Sequence, residues 1–319
     1  MEAVAKELTE PILRLKENIQ KVMVGKQEVI DLVLTALLAR GHVLLEDVPG
    51  TGKTMLAKSL ARSVDASFAR LQLTPDLLPS DVTGLNYFDQ KESGFVFSPG
   101  PVFCNILLAD EINRATPRTQ SSLLECMEEQ QVTVDGVTRP LERPFFVIAT
   151  QNPVETAGTF PLPEAQLDRF LLKINMGFPN RDEEVQIMQR FLESSPLGTL
   201  SSVCSRDTVV TMQDAVKHIY IHPLLQTYIA DLAAASRSMP AVALGISPRG
   251  SLAMLNACRA YALLQGRSYV VPEDIKALAA PVFAHRLVLS GDTAAANTES
   301  VVTEILSSTA VPTEDWDKR

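Results

Sequence analysis

The chain has 319 residues, of which 46% are hydrophobic and 21% are charged, so it can form one large domain or two ordinary ones. Its formal net charge of −9 argues against unspecific nucleic-acid binding, which usually requires a basic surface. No apolar run approaches the roughly 20 residues of a membrane span, and residues 1–13 lack the apolar stretch of a secretory signal. We therefore expect a cytoplasmic protein without a segment inserted in a membrane.

Short apolar segments in the first half of the chain have the length and composition of buried β-strands. Several are apolar almost throughout, as strands covered on both faces are. Helical patterns at residues 52–64 and 116–130 lie between them, the second with Thr116 as its cap and Pro117 at its first position. Strands that alternate with helices predict a parallel α/β sheet. The strand segments are residues 42–46, 67–73, 105–110, 145–150 and 170–176.

Two segments interrupt this alternation, and the pattern changes near residue 178. Residues 131–141 alternate around Asp135-Gly136, a strong signal for a hairpin turn, and residues 84–103 indicate a looser hairpin. Beyond residue 178 no segment reads as a strand. We therefore predict an α/β domain over residues 1–178 and a helical domain over residues 179–319. The predicted helices of that second domain are residues 181–193, 207–218, 223–237, 248–264, 272–280 and 295–308.

The stretch EDVPGTGKT, residues 46–54, nearly matches the phosphate-binding pattern G-x-x-x-x-G-K-[ST], with Asp47 in place of the first glycine. It follows a predicted strand and opens a predicted helix, which is the context that the pattern requires. Backbone N–H groups of such a loop surround phosphate oxygens. Lys53 is expected to reach the β- and γ-phosphates, and the Thr54 hydroxyl to bind Mg²⁺. The Asp47 side chain is expected to point away from the phosphates.

Polar residues follow the next two strands at the edge where ligands bind in parallel sheets. Asp110 and Glu111 end the strand of residues 105–110; the first is expected to hold Mg²⁺ and the second to polarise the attacking water. Asn152 follows the strand of residues 145–150 and can orient that water or touch the γ-phosphate. Arg169 and Arg249 are candidates for stabilising the charge that develops on the transferred phosphoryl group.

The order of these residues resembles that of the AAA+ ATPases: Walker A, Walker B, sensor 1, arginine finger and sensor 2. Longer segments are similar to the MoxR family within that class, and the resemblance runs from about residue 24 to about residue 289. The segments that carry it are EDVPGTGKT, ADEINRATPRTQSSLLECMEE, ATQNPVETAGTFPLPEAQLDRF, LGISPRG, LLQGRSYVVPEDI and AHRLVL.

The resemblance implies a sheet with strand order 5-1-4-3-2 and a helical lid. It also implies that residues 84–103 are the helix-2 insert of this clade and residues 131–141 its pre-sensor-1 hairpin. Arg169 would reach the nucleotide of a neighbouring subunit, and Arg249 would lie on the lid and act at the subunit boundary. The residues expected to contact the nucleotide are Val24, Gly25, Pro49, Gly50, Thr51, Gly52, Lys53, Thr54 and Met55.

By the same resemblance, the expected cofactors are ATP and Mg²⁺ and the expected assembly is a hexameric ring. Members of the family are similar to chaperones that act with von Willebrand factor A (VWA) domain partners on client complexes, and the client here stays open. The sequence leaves three other functions open: the motor subunit of a metal chelatase, a DNA motor, and a scaffold that binds nucleotide only as a structural element.

Several residues stay without an assigned role. Arg114 and Arg118 follow the acidic pair and can contact phosphate, the next subunit, or nearby glutamates such as Glu125, Glu128 and Glu129. The widely spaced cysteines predict reduced, partly buried thiols, and the scattered histidines do not form a metal-ligand pattern.

Overall fold

The computed structural model describes residues 2–46, 48, 50–91, 93–153, 158–192, 195–290 and 297–312, with side chains from residue 8 onward. Among these residues no helix is both long and apolar enough to cross a membrane. The α-helices are α1 (Glu2–Gln20), α2 (Gln27–Leu38), α3 (Lys53–Ser63), α4 (Pro79–Thr83), α5 (Pro117–Glu129), α6 (Glu164–Leu167), α7 (Arg181–Phe191), α8 (Arg206–Ala215), α9 (Pro223–Ser238), α10 (Pro248–Leu264), α11 (Pro272–Phe283) and α12 (Thr298–Ser308).

The strands are short, and each strand predicted from an apolar segment is present with ends shifted by one to a few residues. They are β1 (Val43–Glu46), β2 (Phe68–Gln72), β3 (Gly84–Asp89), β4 (Gly94–Pro99), β5 (Ile106–Asp110), β6 (Gln131–Val134), β7 (Val137–Pro140), β8 (Phe146–Gln151), β9 (Leu172–Ile174), β10 (Val242–Leu244) and β11 (Val288–Leu289).

The central sheet is five-stranded, and its neighbouring strands pair in parallel in the order β2-β5-β8-β1-β9. If the five strands of this sheet are numbered 1 to 5 along the chain, their order read from the β9 edge is 5-1-4-3-2. The order expected from the family resemblance is therefore confirmed. The carboxyl ends of β2, β5, β8 and β1 lie at one edge of the sheet, where Gln72 pairs with Asp110 and Glu46 with Gln151.

Side chains of the central strands alternate between two apolar cores, one on each face of the sheet. On β1, Val43 and Leu45 enter one core and Leu44 the other. On β5, Ile106 and Leu108 belong to the first core, while Leu107 belongs to the second. The first core also contains side chains of α1, α2 and α3, and the second contains side chains of α5. Layers on both faces explain why these strands are apolar throughout instead of alternating with polar residues.

Two antiparallel hairpins project from this core. In one, β3 pairs with β4, and in the other β6 pairs with β7 around Asp135 and Gly136, both at positive φ. The turn therefore has the backbone conformation that Asp-Gly favours. The hairpins contact each other, because Asn86 Nδ2 donates to Asp135 Oδ2 at 2.7 Å and the Arg139 guanidinium stacks over the Phe97 ring at 3.9 Å.

Helices dominate the chain after residue 178, and their starts follow local sequence signals. Asn180 caps α7 by accepting from the N–H groups of Asp182 and Glu183. Pro223, Pro248 and Pro272 each occupy the first position of a helix, where a missing N–H costs nothing.

One prediction for this region is wrong, because β10 and β11 form a short antiparallel pair. Strands of two and three residues are too short to show a periodic pattern. The domain boundary at residue 178 stays a prediction.

The two helices at the start of the chain were not singled out from the sequence. Their apolar faces fill the first core, where Ile12, Leu15, Ile30 and Leu34 are almost fully buried. Helix α2 also packs on α10, so the N-terminal part of the chain connects the sheet to the C-terminal helices.

Candidate functional site

The loop between β1 and α3 lies at the carboxyl edge of the sheet. Gly50 and Gly52 have φ values of +91° and +97°, which residues with a Cβ rarely adopt. Thr51 between them is buried, and its hydroxyl donates to Val48 O at 3.4 Å. Asp47 and Pro49 lie outside the described residues, so the predicted orientation of the Asp47 side chain stays a prediction.

Helix α3 begins directly after this loop, with Lys53 as its first residue and Thr54 and Met55 in its first turn. Its N-cap is Gly52, which has no side chain to cap the first N–H groups, and its first turn carries no acidic residue. The amino end of the helix therefore keeps a positive potential directed at the loop.

The acidic pair at the end of β5 is held by the neighbouring strand. The Thr150 hydroxyl donates to Asp110 Oδ1 at 2.6 Å and accepts from the Glu111 N–H at 2.8 Å. Glu111 has a φ of +58°, a conformation that costs energy in a residue with a side chain. Thr150 is fully buried, so its single hydroxyl fixes the backbone turn that carries both carboxylates.

Other polar side chains at this edge contact the same two carboxylates. Gln72, at the end of β2, donates to Glu111 Oε2 at 2.8 Å. Arg70 forms an ion pair with Asp110 at 2.7 Å, and Arg114 forms one with Glu111 at 3.2 Å. Arg114 thus pairs with Glu111, a partner that was not among the candidates from the sequence.

The end of β8 brings amide side chains to the loop. Asn152 directly follows the strand and is buried, and its predicted role toward the water or the γ-phosphate stays a prediction. Gln151 pairs across the sheet with Glu46 of β1, and its Oε1 atom is buried without a hydrogen-bond partner among the described residues. A buried acceptor of this kind is usually satisfied by water or by a ligand.

The segment of Val24 and Gly25 lies between the loop and α7. A Cβ at Gly52 would stand 3.5 Å from Cε of Met23, and a Cβ at Gly25 would collide with the Glu183 carboxylate. Lys26 donates to the carbonyls of residues 176 and 177 at 2.7 and 3.0 Å. The structure therefore brings Val24 and Gly25 next to the phosphate loop, where the resemblance expects adenine to bind.

The two arginines lie at the opposite, amino-terminal edge of the sheet. Arg169 precedes β9, and Leu171 donates to the carbonyl of His42, just before β1. The four residues of β1 separate this level from the phosphate loop by about 13 Å. Arg249, in the first turn of α10, lies beside Arg169, so neither arginine is next to the phosphate loop of its own chain.

One carboxylate joins these arginines. Glu128, near the end of α5, contacts Arg169 through Oε2 and Arg249 through Oε1, each at 2.7 Å. Arg169 also donates to Leu124 O at 3.1 Å. Glu128, Arg169 and Arg249 line a cleft of about 400 Å³ together with Asp168 and Arg286.

Asp168 forms the inner side of this cluster. Its Oδ1 accepts from Nε of the buried Arg286 at 2.6 Å, while its Oδ2 lies 3.9 Å from Nε of Arg249. Arg286 also donates to the carbonyls of Leu171 and Phe170, at 3.2 and 2.7 Å. Burial lowers the pKa of Arg286, and the Asp168 carboxylate opposes that shift. Three guanidinium groups thus meet two carboxylates, which leaves the cleft with a positive excess.

A buried histidine fixes the same edge. His42 accepts from the Val147 N–H at 3.0 Å through Nδ1, and its Nε2 lies 3.1 Å from Met127 O. With Nδ1 as acceptor, Nε2 carries the proton and donates to that carbonyl. Burial lowers the pKa of His42 to about 4, so the ring is neutral near pH 7.

Some of these contacts involve residues that the sequence analysis missed. The position of Gln72 at the end of a predicted strand could have indicated that its side chain lies at the carboxyl edge of the sheet, beside the acidic pair. Thr150 and Asp168 carry no comparable signal, because their contacts depend on the register of neighbouring strands and on α10. Glu128 was considered only as a surface partner of Arg114 or Arg118, whereas it binds Arg169 and Arg249.

A parallel sheet in this strand order, with a glycine loop after its first strand and an acidic pair after its third, defines an AAA+ ATPase. Comparison with known families agrees. Residues 42–172 match the model of the ATPase family associated with various cellular activities (AAA), and residues 234–306 match an AAA lid domain.

Whole-chain relatives narrow this class. The chain is 50% identical over 300 residues to the uncharacterized protein YeaC of Bacillus subtilis, covering 93% of this chain and 94% of that protein. It is 40% identical over 306 residues to the chaperone MoxR1 of Mycobacterium tuberculosis, covering 92% of this chain and 81% of that protein. With the protein MoxR of Methylorubrum extorquens the identity is 33% over 302 residues, covering 86% of this chain and 87% of that protein. The chain belongs to the MoxR family of AAA+ ATPases.

Solved structures show the same fold. A crystal structure from Cytophaga hutchinsonii, described as a candidate ATPase, superposes with a TM-score of 0.91 at 35% identity and covers 98% of both chains. An MCM homolog from Methanopyrus kandleri has a TM-score of 0.56 at 17% identity, covering 97% of this chain and 62% of that one. The second likeness concerns the fold alone.

Proposed function

We propose that this protein hydrolyses ATP with Mg²⁺ at the carboxyl edge of its sheet. The observation that carries the proposal is the constellation at that edge. A glycine loop at positive φ and an uncapped amino end of α3 lie beside an acidic pair that Thr150 holds in place. Amides and a helix terminus suit phosphate, and a hydroxyl with a carboxylate suits Mg²⁺. The unpartnered Gln151 Oε1 nearby supplies an acceptor for water, so the residues present fit Mg²⁺ and ATP.

Each residue at this edge has a role that follows from its chemistry. The N–H groups of residues 50–54, with Lys53, hold the phosphates, while Thr54 and Asp110 hold the metal. When bound, Mg²⁺ neutralises charge on the phosphates. Glu111 accepts a proton from the attacking water, and Asn152 orients that water. Thr150 holds the Asp110 carboxylate and the Glu111 backbone in place.

The adenine site is proposed beside Val24 and Gly25. Support comes from the Met23 side chain near Gly52 and from Glu183, which α7 places against Gly25. A base bound there would be close to α7, which begins the helical region after residue 178. We also propose the division of the chain at that residue, with the C-terminal helices as a lid.

The position of the arginines supports assembly into a ring. Arg169 and Arg249 lie across the sheet from their own phosphate loop, so they can serve as transition-state cations only for the loop of another subunit. Such a contact joins different surfaces of two copies, and repeated around an axis it closes a ring. We propose that this ring is a hexamer. Within each subunit, we propose that Pro49 and Met55 complete the nucleotide contacts of the loop.

The cellular role is proposed from the relatives. One relative is named a chaperone, which supports a role in remodelling or maturing a client complex, together with a VWA-domain partner in the cytoplasm. The motor subunit of a metal chelatase remains the alternative, since it would use the same site. A DNA motor is less well supported, because Arg139, the basic residue of the β6–β7 hairpin, is engaged on the Phe97 ring.

The test is hydrolysis by the purified protein. We expect Mg²⁺-dependent release of phosphate from ATP, loss of hydrolysis in Lys53→Ala, and binding of ATP without turnover in Glu111→Gln. Turnover at the wild-type rate in Glu111→Gln would contradict the role given to Glu111. Affinity capture with Glu111→Gln in ATP identifies the partner. A VWA-domain protein among the captured proteins supports the remodelling function over that of a chelatase motor subunit.

A further inference from the structure

A carboxylate that the nucleotide site does not use lies at the far edge of the sheet. Glu128 binds Arg169 through one oxygen and Arg249 through the other, both at 2.7 Å. These arginines come from parts of the chain 80 residues apart, the approach to β9 and the first turn of α10. Glu128 thus joins three elements at one point.

We infer that Glu128 is the positioning residue that holds Arg169 and Arg249 side by side, as one paired cationic group for the phosphate of a neighbouring subunit. This inference rests on the proposed function, in which both arginines act across a subunit boundary. It adds a residue that touches neither nucleotide nor water but acts through the two arginines.

Electrostatics explains why the pair needs this carboxylate. Guanidinium groups stay charged at all ordinary pH values, so two of them side by side repel each other. Asp168 is less able to separate them, because its Oδ1 is bound to Arg286 at 2.6 Å and its Oδ2 is 3.9 Å from Arg249. Without Glu128, the three guanidinium groups of Arg169, Arg249 and Arg286 would face the one carboxylate of Asp168, and Arg40 lines the same cleft.

Geometry explains what the carboxylate contributes to reaction rate. Arginine side chains have several freely rotating bonds, and ordering them costs conformational entropy. If the side chains are already fixed before the reaction, this entropy cost is not added to the barrier. Arg169 is held at two points, by Glu128 Oε2 and by Leu124 O at 3.1 Å. The N–H groups of Arg169 and Arg249 that Glu128, Leu124 and Asp168 do not engage can contact an anion. An exposed ion pair alone contributes little stability, so the expected effect of Glu128 is on turnover and not on folding.

The first measurement is the split between affinity and turnover. Glu128→Gln keeps the shape of the side chain but removes its charge. The phosphate loop of the variant chain stays intact. We expect kcat to fall about tenfold or more, as for loss of an arginine aligned with the transition state, with nucleotide affinity within a few-fold of wild type. The matched control is Glu129→Gln on the same helix, which removes the same charge next to the cluster and is expected to keep wild-type turnover.

The second measurement is complementation between impaired variants. Glu128→Gln has an intact phosphate loop and Glu111→Gln has intact arginines, so mixed rings contain about one complete site in four. We expect the mixture to hydrolyse ATP faster per subunit than either variant does alone. Wild-type turnover in Glu128→Gln, or a mixture no faster than the Glu128→Gln protein alone, would overturn the inference.

A third measurement does not depend on hydrolysis. If Glu128 holds Arg249, amide hydrogen exchange in the first turns of α10 is faster in Glu128→Gln than in Glu129→Gln. Equal exchange in the two variants would overturn the inference even if the wild-type protein hydrolyses ATP. If the wild type does not hydrolyse ATP, the proposed function fails, and this measurement still decides whether Glu128 positions Arg249.

Discussion

At the scale of single residues, the buried hydroxyl of Thr150 has more effect than its size suggests. It is the hydrogen-bond partner of Asp110 Oδ1 and of the Glu111 N–H, and Glu111 is in a strained conformation. Replacing the hydroxyl by a methyl group removes the partner of that partly buried N–H, at a cost of up to about 3 kcal/mol. A change of about 1.4 kcal/mol in a barrier changes a rate about tenfold.

We therefore predict that Thr150→Val lowers kcat for ATP hydrolysis about tenfold. Nucleotide affinity should change little, because the phosphate loop keeps its own contacts. Thr150→Ser, which retains the hydroxyl, is the matched control and should keep most of the activity. Steady-state kinetics of the two variants check the prediction, and equal kcat values would show that Thr150 does not position the acidic pair.

His42 supports a second prediction, on the pH dependence of stability. Burial lowers its pKa from 6.5 to about 4 in the folded chain, while the unfolded chain keeps the ordinary value. Below pH 6.5 the unfolded state binds more protons, so the free energy of unfolding falls as the pH falls toward 4 and is unaffected above 6.5. The total loss is about 3 kcal/mol, at about 1.4 kcal/mol per pKa unit. Burial also lowers the pKa of His285, which acts in the same direction.

The measurement is chemical denaturation between about pH 6.5 and pH 5, above the range where ordinary carboxylates titrate. The urea midpoint of the wild type should fall through this window. The fall should be smaller in His42→Gln, which cannot take up the proton. Parallel curves for the two proteins would show that His42 is not held neutral in the folded state.

The sequence indicated the candidate nucleotide-binding residues but not the residues that hold them. Lys53, Asp110, Glu111 and Asn152 are marked by their position at or soon after the end of a strand. Thr150 and Glu128 are ordinary residues in sequence, because their partners are brought close only by strand register and by the packing of α10 on the sheet.

At the scale of elements, the two hairpins contact each other. Their contacts include the cation–π pair of Arg139 with Phe97 and the hydrogen bond of Asn86 with Asp135. We predict that Arg139→Ala increases amide hydrogen exchange in β3 and β4, because an exposed cation–π contact stabilises by about 0.5–1 kcal/mol. Global stability should change little, since β3 and β4 lie outside both apolar cores and β6 reaches the second core only through Val132 and Val134.

Exchange measured by mass spectrometry on peptides of residues 84–99 checks this prediction. Arg139→Lys is an informative control, since it keeps a cation but not the flat guanidinium that stacks on the ring. Unchanged exchange in Arg139→Ala would show that the hairpins are not coupled through this contact.

Elements were predicted well where a strand or helix has its own local signal. Prolines, caps and apolar runs located the strands of the sheet and the helices after residue 178. The pair of β10 and β11 was missed, because two or three residues have no periodicity and the pairing is between distant parts of the chain. The first two helices lay outside the motifs, although their apolar residues complete a core.

At the scale of the whole molecule, the sheet separates two half-sites. The phosphate loop lies at its carboxyl edge, and Arg169 and Arg249 lie at its amino edge, about 13 Å away along β1. A single chain therefore carries both halves of the proposed reaction site but cannot bring them together without a large rearrangement of its core. In the proposed ring a neighbouring subunit would supply the missing half, so we expect activity to depend on the concentration of subunits.

The last prediction follows from this separation. Specific ATPase activity, expressed per subunit, should rise with protein concentration and then level off, because only assembled subunits have complete sites. Arg169→Ala should be inactive at every concentration, yet should regain activity when mixed with Glu111→Gln, whose arginines are intact. Activity measured over a dilution series, with the assembly state followed by sizing, checks both statements. Constant specific activity in a range where the protein is monomeric would contradict the prediction, because the site would then be complete within one chain.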